Sequence, residues 1–243
     1  GLDNQRNSAS NYQNGHQMRM NDMAEVLEAC GGVDFMFFDA CFMQTIEVAW
    51  ELRDVTDYIV ASPAEIPNPG APYNRIITPM FAPDADVEEI IDCYYHHYAD
   101  SVVLIRQGHP ERHGAVLSVV DCRQLDGLQA ATETMLRRYG QTTVADDSRL
   151  WQDELLRYFP LSSATVPEYY DMKACMRHII TSDNDWQTWL AAFDRAVPFR
   201  RATDSWYTSY TGHSMYIRDD AQFGGISMYV PHDDSYYENL NLQ

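Results

Sequence analysis

Residues 33–38, Val-Asp-Phe-Met-Phe-Phe, form an apolar run behind Gly31-Gly32, and the run stops at Asp39-Ala40-Cys41. Apolar positions then recur at Phe42, Ile46, Ala49 and Trp50, so the period changes from strand to helix at the cysteine. The pattern predicts a strand, a turn holding Cys41 and a helix reaching Leu52. Residues 58–61, Tyr-Ile-Val-Ala, predict a second strand joined to the first by a right-handed parallel crossover. Apart from Asp34 both strands are apolar, as expected of a sheet covered by helices on both faces.

The remaining pattern is less regular. Residues 1–17 are polar and predict a flexible loop, and residues 18–29 predict a helix capped near Asn21. Residues 62–72 carry Pro63, Pro67, Pro69, Gly70 and Pro72, which rules out regular structure and predicts a loop at the same sheet edge as Cys41. Val87, Ile90, Ile91, Tyr94, Tyr95 and Tyr98 mark an amphipathic helix with Asp84 or Asp86 as its cap, its tyrosine stripe turned to the core. A buried strand at 115–120 follows, then a helix at 125–139 that ends at Gly140 behind Arg137 and Arg138. Beyond it the pattern predicts helices at 150–158, 172–180 and 186–197 and strands at 214–217 and 226–230. We divide the chain into a loop at 1–17, an α/β core at 18–140 and a helical region with late strands at 141–243 that completes the same domain.

Composition narrows the functional classes. A formal net charge of -19 opposes binding to nucleic-acid phosphates and favours basic ligands. No segment is long and apolar enough to span a bilayer. The five cysteines, Cys30, Cys41, Cys93, Cys122 and Cys175, are odd in number and include no C-x-x-C pair, which suits a reactive or buried thiol better than a disulfide scaffold. Cys41 is a candidate nucleophile, because a helix N-terminus favours the thiolate. Against this, a free cysteine more commonly packs as a small hydrophobe, and position alone favours burial. Cys93 with His96 and His97 has helical spacing that could share a metal if His109 or His113 joined them, but packing of Cys93 into the core is the stronger reading. Ser62 stands in no nucleophile-elbow context and is expected to shape a pocket.

Phe38-Asp39-Ala40-Cys41-Phe42-Met43, Glu47-Val48-Ala49, the run from Asp57 to Glu65 and Pro72-Tyr73 resemble the nucleophile region of the clostripain-like cysteine peptidases. Softer likenesses lie at residues 117–121, at Tyr170-Asp171-Met172 and at residues 225–231. The resemblance implies an α/β, caspase-like three-layer sandwich with a mostly parallel sheet, and a Cys-His dyad that cleaves after Arg or Lys. It makes Cys41 the nucleophile, gives Asp39 a place in the pocket for the basic side chain, and points to Glu65 in the proline-rich loop as a second acidic contact. The competing role for Asp39 is a helix cap. Ser62 joins the substrate-binding candidates.

The family's histidine lies in a His-Gly turn at the end of the preceding strand. Here His16 is followed by Gln17 and is expected in a surface loop, so the N-terminal strands and the base are expected on residues outside this chain. The family often matures by cutting the intervening loop after a basic residue, for which Arg6 is a candidate. The expected partners are a basic peptide substrate and a light chain carrying the histidine. No cofactor is expected, although the resemblance allows calcium, and it places the protein outside the cell or in its envelope. The alternative is a non-catalytic relative that binds basic peptides in the same pocket.

Overall fold

The computed structural model describes residues 8–11, 16–68, 70–83, 85–99, 114–140, 155–158, 168–208 and 212–230. In chain order, β1 (Ser8–Asn11) and β2 (His16–Arg19) form an antiparallel hairpin that leads into α1 (Met20–Ala29). Then come β3 (Val33–Phe37), α2 (Ile46–Leu52), β4 (Thr56–Ala61), α3 (Tyr73–Met80) and α4 (Val87–Ala99). β5 (Val116–Asp121), α5 (Leu125–Tyr139), β6 (Glu168–Asp171), α6 (Met172–Ile179) and α7 (Asp183–Ala196) follow. The described chain closes with β7 (Phe199–Ala202), β8 (Ser205–Thr208), β9 (His213–Tyr216) and β10 (Ser227–Val230).

The central sheet has the order β3-β4-β5-β7. β3 and β4 are parallel, with Val33 opposite Thr56 and Phe37 opposite Val60, whereas β5 is antiparallel to both of its neighbours. The sheet is therefore mixed, which corrects the expectation of a mostly parallel one. Continuous apolar strands report burial on two faces, and an antiparallel strand covered by helices meets that condition equally well.

Side chains alternate between those faces as the pleat requires. Ile59, Ala61 and Val120 join Met36 in a cluster with α1, α2, α5, α6 and α7. Tyr58, Val60, Leu117 and Val119 join Phe35 and Phe37 in a second cluster with α3 and α4. Burial of each large aliphatic side chain contributes roughly 1.5–3 kcal/mol, so the sheet is held from both sides. On the first face Trp189 stacks between Trp186 and Phe193, with ring centroids 5.4 and 5.0 Å away, and its indole N–H donates to Thr132 Oγ1 at 2.9 Å.

Several boundaries differ from the sequence pattern. The helix after Cys41 begins at Ile46 rather than Phe42, with Thr45 as N-cap accepting from the Val48 N–H at 3.1 Å. Phe42 sits at φ 59°, outside the helical region, and its N–H pairs with Ala64 O. The polar stretch expected as loop contains the β1-β2 hairpin, and His16 lies in β2. Asp86 caps α4, its Oδ1 accepting from the N–H groups of Glu88 and Glu89, while Asp84 lies outside the described residues. Most of the helix expected at 150–158 lies outside them too, and within the described part Arg157 forms an antiparallel bridge with Tyr170. The strands β6, β7 and β8 and the helix α3, which contains Pro79, were not expected.

A buried carboxylate joins the late segments. Asp171 is fully buried; its Oδ1 caps α6 by accepting from the N–H groups of Lys173 (2.8 Å) and Ala174 (3.1 Å). Oδ2 accepts from Tyr158 OH (2.5 Å) and from the N–H groups of Gly224 (2.7 Å) and Gly225 (3.0 Å). Burial pushes Asp171 up to about 6, and these donors oppose the rise by favouring the carboxylate. Asp171→Asn places an amide NH₂ among donors and is expected to cost about 3 kcal/mol, against about 1 kcal/mol for loss of the Ser182 cap of α7 in Ser182→Ala. Urea titration of both variants checks the contrast; an Asp171→Asn variant as stable as the parent would remove Asp171 from this role.

Candidate active site

β3 and β4 run side by side to their carboxyl ends, and the two chains stay paired beyond the strands. Phe38 N–H donates to Val60 O (2.9 Å), Gln44 N–H to Ser62 O (3.0 Å) and Phe42 N–H to Ala64 O (3.0 Å). Residues 38–45 thus satisfy backbone groups against the loop after β4 instead of within a helix. Positive φ at Phe42, uncommon for a bulky residue, turns the chain directly after Cys41.

Cys41 is half-buried, and its Sγ accepts from the Ile66 N–H at 3.3 Å. Burial pushes the thiol up from its ordinary value; the Ile66 N–H opposes this and the Glu65 charge adds to it. The expected lowering by a helix N-terminus is absent because the helix starts after Thr45, four residues beyond the cysteine. Burial of Cys41 therefore disfavours the thiolate.

Asp39 is exposed beside it. Its Oδ1 accepts from the Ala71 N–H at 3.0 Å and its Oδ2 from Tyr73 OH at 3.1 Å. The helix-cap role is thereby corrected: Thr45 caps α2, and Asp39 faces the proline-rich loop. Gly70 has φ 93°, and a Cβ on it would lie 3.0 Å from Asp39 Oδ2, so a side chain there would crowd the carboxylate. Tyr98 OH holds the Gly70 carbonyl at 2.5 Å.

The other candidates divide by what their polar atoms do. Ser62 is buried, its hydroxyl donating to Ala64 O (3.1 Å) and accepting from Ala64 N–H (3.0 Å), so it closes the turn that leads to Ile66. Glu65 is half-buried, accepts from Thr208 Oγ1 at 2.7 Å and acts electrostatically on Cys41. Cys93 packs against the second core cluster, His96 and His97 make edge contacts with Tyr95 and Tyr98, and His109 and His113 lie outside the described residues. Among the described residues no group of three or more His, Cys, Asp or Glu is placed to hold a metal ion.

Sequence reasoning missed the tyrosines. Tyr94 and Tyr98 are buried in the core as expected, but Tyr73 and Tyr98 also spend their hydroxyls on Asp39 and its supporting loop. Pro72-Tyr73, at the end of that loop, was the available signal.

The sequence model of the Clostripain family matches residues 5–239. No curated protein matches the chain at a significant level. Among solved structures, a B. fragilis cysteine protease is 30% identical with a TM-score of 0.82, the match covering 97% of this chain and 92% of that one. A clostripain from Bacteroides thetaiotaomicron, solved with the peptide inhibitor BTN-VLTK-AOMK, is 25% identical with a TM-score of 0.77, covering 96% and 94%. A secreted cysteine protease from Bacteroides thetaiotaomicron, in complex with an irreversible peptide inhibitor, is 30% identical with a TM-score of 0.75, covering 95% of this chain and 62% of that one. With its cysteine seated at the end of the parallel strand pair and a family match over nearly its whole length, the chain belongs to the clostripain family of cysteine peptidases.

Proposed function

We propose that the chain is the nucleophile-bearing part of an endopeptidase that cleaves after Arg or Lys. The observation that carries this reading is the placement of an exposed Asp39 carboxylate and the Cys41 thiol together beyond β3. Asp39 accepts N–H groups of the guanidinium or ammonium. Glu65 adds a second negative charge near the thiol and Ser62 shapes the loop. The lysine in the inhibitor name of the Bacteroides clostripain agrees with a basic residue at this position.

The thiolate of Cys41 attacks the scissile carbonyl, and the C–N bond breaks as a histidine gives its proton to the leaving amine. Water then hydrolyses the thioester. On this reading the histidine reaches Cys41 on a further segment that adds to β3, after a cut in the 1–17 region for which Arg6 is the candidate. Among the described residues β3 pairs only with β4, Val33 is 41% exposed, and Phe35, Met36 and Phe37 are half-buried, which supports an added neighbour. The caspase-like three-layer arrangement belongs to the same reading, supported by helices on both faces of the sheet. The division at residue 140 and an extracellular or envelope location complete it, the location supported by the secreted relative, whereas the boundary at residue 17 falls inside β2.

The second reading, a non-catalytic binder of basic peptides, is favoured by the raised Cys41 thiol. A chromogenic Arg substrate separates the two when the chain is assayed alone and with the coding sequence upstream of Gly1 joined to it. Turnover is expected only in the extended protein and is expected to vanish in Cys41→Ala. Asp39→Asn is expected to lower kcat/KM about 10–100-fold, the worth of one charged hydrogen-bonded contact. Turnover that survives Cys41→Ala would end the peptidase assignment, and none in the extended protein would leave the binder.

The thiol makes a separate prediction. Alkylation of Cys41 in this chain by iodoacetamide, followed by peptide mass spectrometry, is expected to speed up with pH beyond the ordinary thiol range, because the reactive thiolate is disfavoured by burial. Glu65→Gln removes a charge that raises the thiol and moves the midpoint down. A rate already at its plateau at pH 7 would contradict the raised thiol.

A further inference from the structure

The loop after β4 is laid against the segment that holds Cys41 at every second residue. Ser62 O accepts from the Gln44 N–H and Ala64 O from the Phe42 N–H, both at 3.0 Å, and Ile66, next in that series, gives its N–H to Cys41 Sγ at 3.3 Å. The approach is fixed from both sides. The Ser62 hydroxyl closes the turn on Ala64, Pro67 favours extended backbone at Ile66, and Ile66 packs against the second core cluster.

A neutral thiol is a weak acceptor, so an amide N–H turned to it is poorly satisfied. A thiolate is an anion, and hydrogen bonding to the charged form favours that form. No helix supplies such donors to this sulfur, because α2 begins only at Ile46. The surroundings oppose the anion: burial and the Glu65 carboxylate of the same loop disfavour it, Asp39 carries a further negative charge two residues away, and Tyr94 of α4 lies within electrostatic reach, held neutral by burial. Against them stands first the Ile66 N–H, and to a lesser degree the α-amino group and the N–H of Cys41 itself.

We propose that Ile66 is a further catalytic residue through its main chain, its N–H holding the Cys41 sulfur as the anion that attacks the substrate carbonyl. The thiol proton passes to the histidine of the proposed dyad, the sulfur electron pair forms the S–C bond, and the carbonyl π pair moves onto oxygen. Below the midpoint of ionisation, a donor to sulfur adds more thiolate than it subtracts in nucleophilicity. The inference rests on Cys41 as the nucleophile and adds the donor that the helix does not provide.

The test follows iodoacetamide alkylation of Cys41 against pH in the full chain, read by peptide mass spectrometry. Exchange of Ile66 for its α-hydroxy acid turns the amide between residues 65 and 66 into an ester, which removes the N–H and adds no bulk. The midpoint is expected to rise by about one pH unit, the size of one hydrogen bond to a charged group, while Ile66→Ala, which keeps the donor, keeps the midpoint. An unmoved midpoint in the ester overturns the inference, and so does an equal rise in Ile66→Ala, which would place the effect in side-chain packing. Nitrogen-edited NMR of the parent supplies a second reading that needs no altered backbone: the Ile66 amide proton is expected to move downfield with the Cys41 midpoint and to lose this step in Cys41→Ala. An Ile66 amide indifferent to the ionisation overturns the inference even where the ester does not fold. Both readings concern the sulfur alone, whereas turnover in Cys41→Ala of the extended protein decides the nucleophile, so the two assignments fail separately.

Discussion

The geometry at Cys41 depends on the backbone of residues 38–45 finding its hydrogen bonds outside any helix. Phe42 and Gln44 give their N–H groups to the loop after β4, and the Gln44 carbonyl receives the Ser227 N–H from β10 at 3.0 Å. The buried Gln44 side chain then donates to Ser118 on β5, to its carbonyl at 2.8 Å and its hydroxyl at 2.9 Å. Ser118 passes the connection on by donating to Gly225 O at 2.6 Å, and Gly225 N–H ends it on Asp171. A buried polar group left without a partner is costly. The segment holding Cys41 is thus tied to the sheet centre and to the late strands.

That arrangement explains why small residues recur at the junctions. Gly225 adopts φ 76°, and a Cβ on it would meet Ser118 Cβ at 3.0 Å and Arg200 Cβ at 3.1 Å. A side chain there would push β5 away from the glycine and break the relay to Gln44. Gly70 plays the corresponding part in the proline-rich loop by leaving Asp39 uncovered. Both positions couple backbone conformation to access at the site.

Much of this was legible in the sequence, for identifiable reasons. The β3 and β4 strands and the helices α4 and α5 follow from apolar period, and their ends from Asp86 and Gly140. The neighbours of Cys41, rather than its position, made it the candidate nucleophile. Periodicity misplaced the next helix because Phe42 suits an amphipathic pattern while its conformation is set by a bond to Ala64, distant in sequence. Strand direction was illegible because burial on two faces does not encode it. The tyrosine hydroxyls were hidden for a related reason: helical spacing places Tyr94 and Tyr98 in the core, but which buried hydroxyl meets Gly70 depends on how the loop folds over them.

The electrostatics of the site then bear on how such a chain would be kept quiet. Burial and the Glu65 carboxylate both favour a protonated Cys41, and Asp39 adds negative charge nearby. A bound guanidinium or ammonium offsets that charge, and an imidazolium brought to the thiol favours the thiolate directly. On the proposed reading both positive charges arrive from outside the described chain, one with the substrate and one with the segment that joins β3. On that reading Glu65, proposed as an acidic contact for the basic side chain, also disfavours the thiolate until the basic groups are in place.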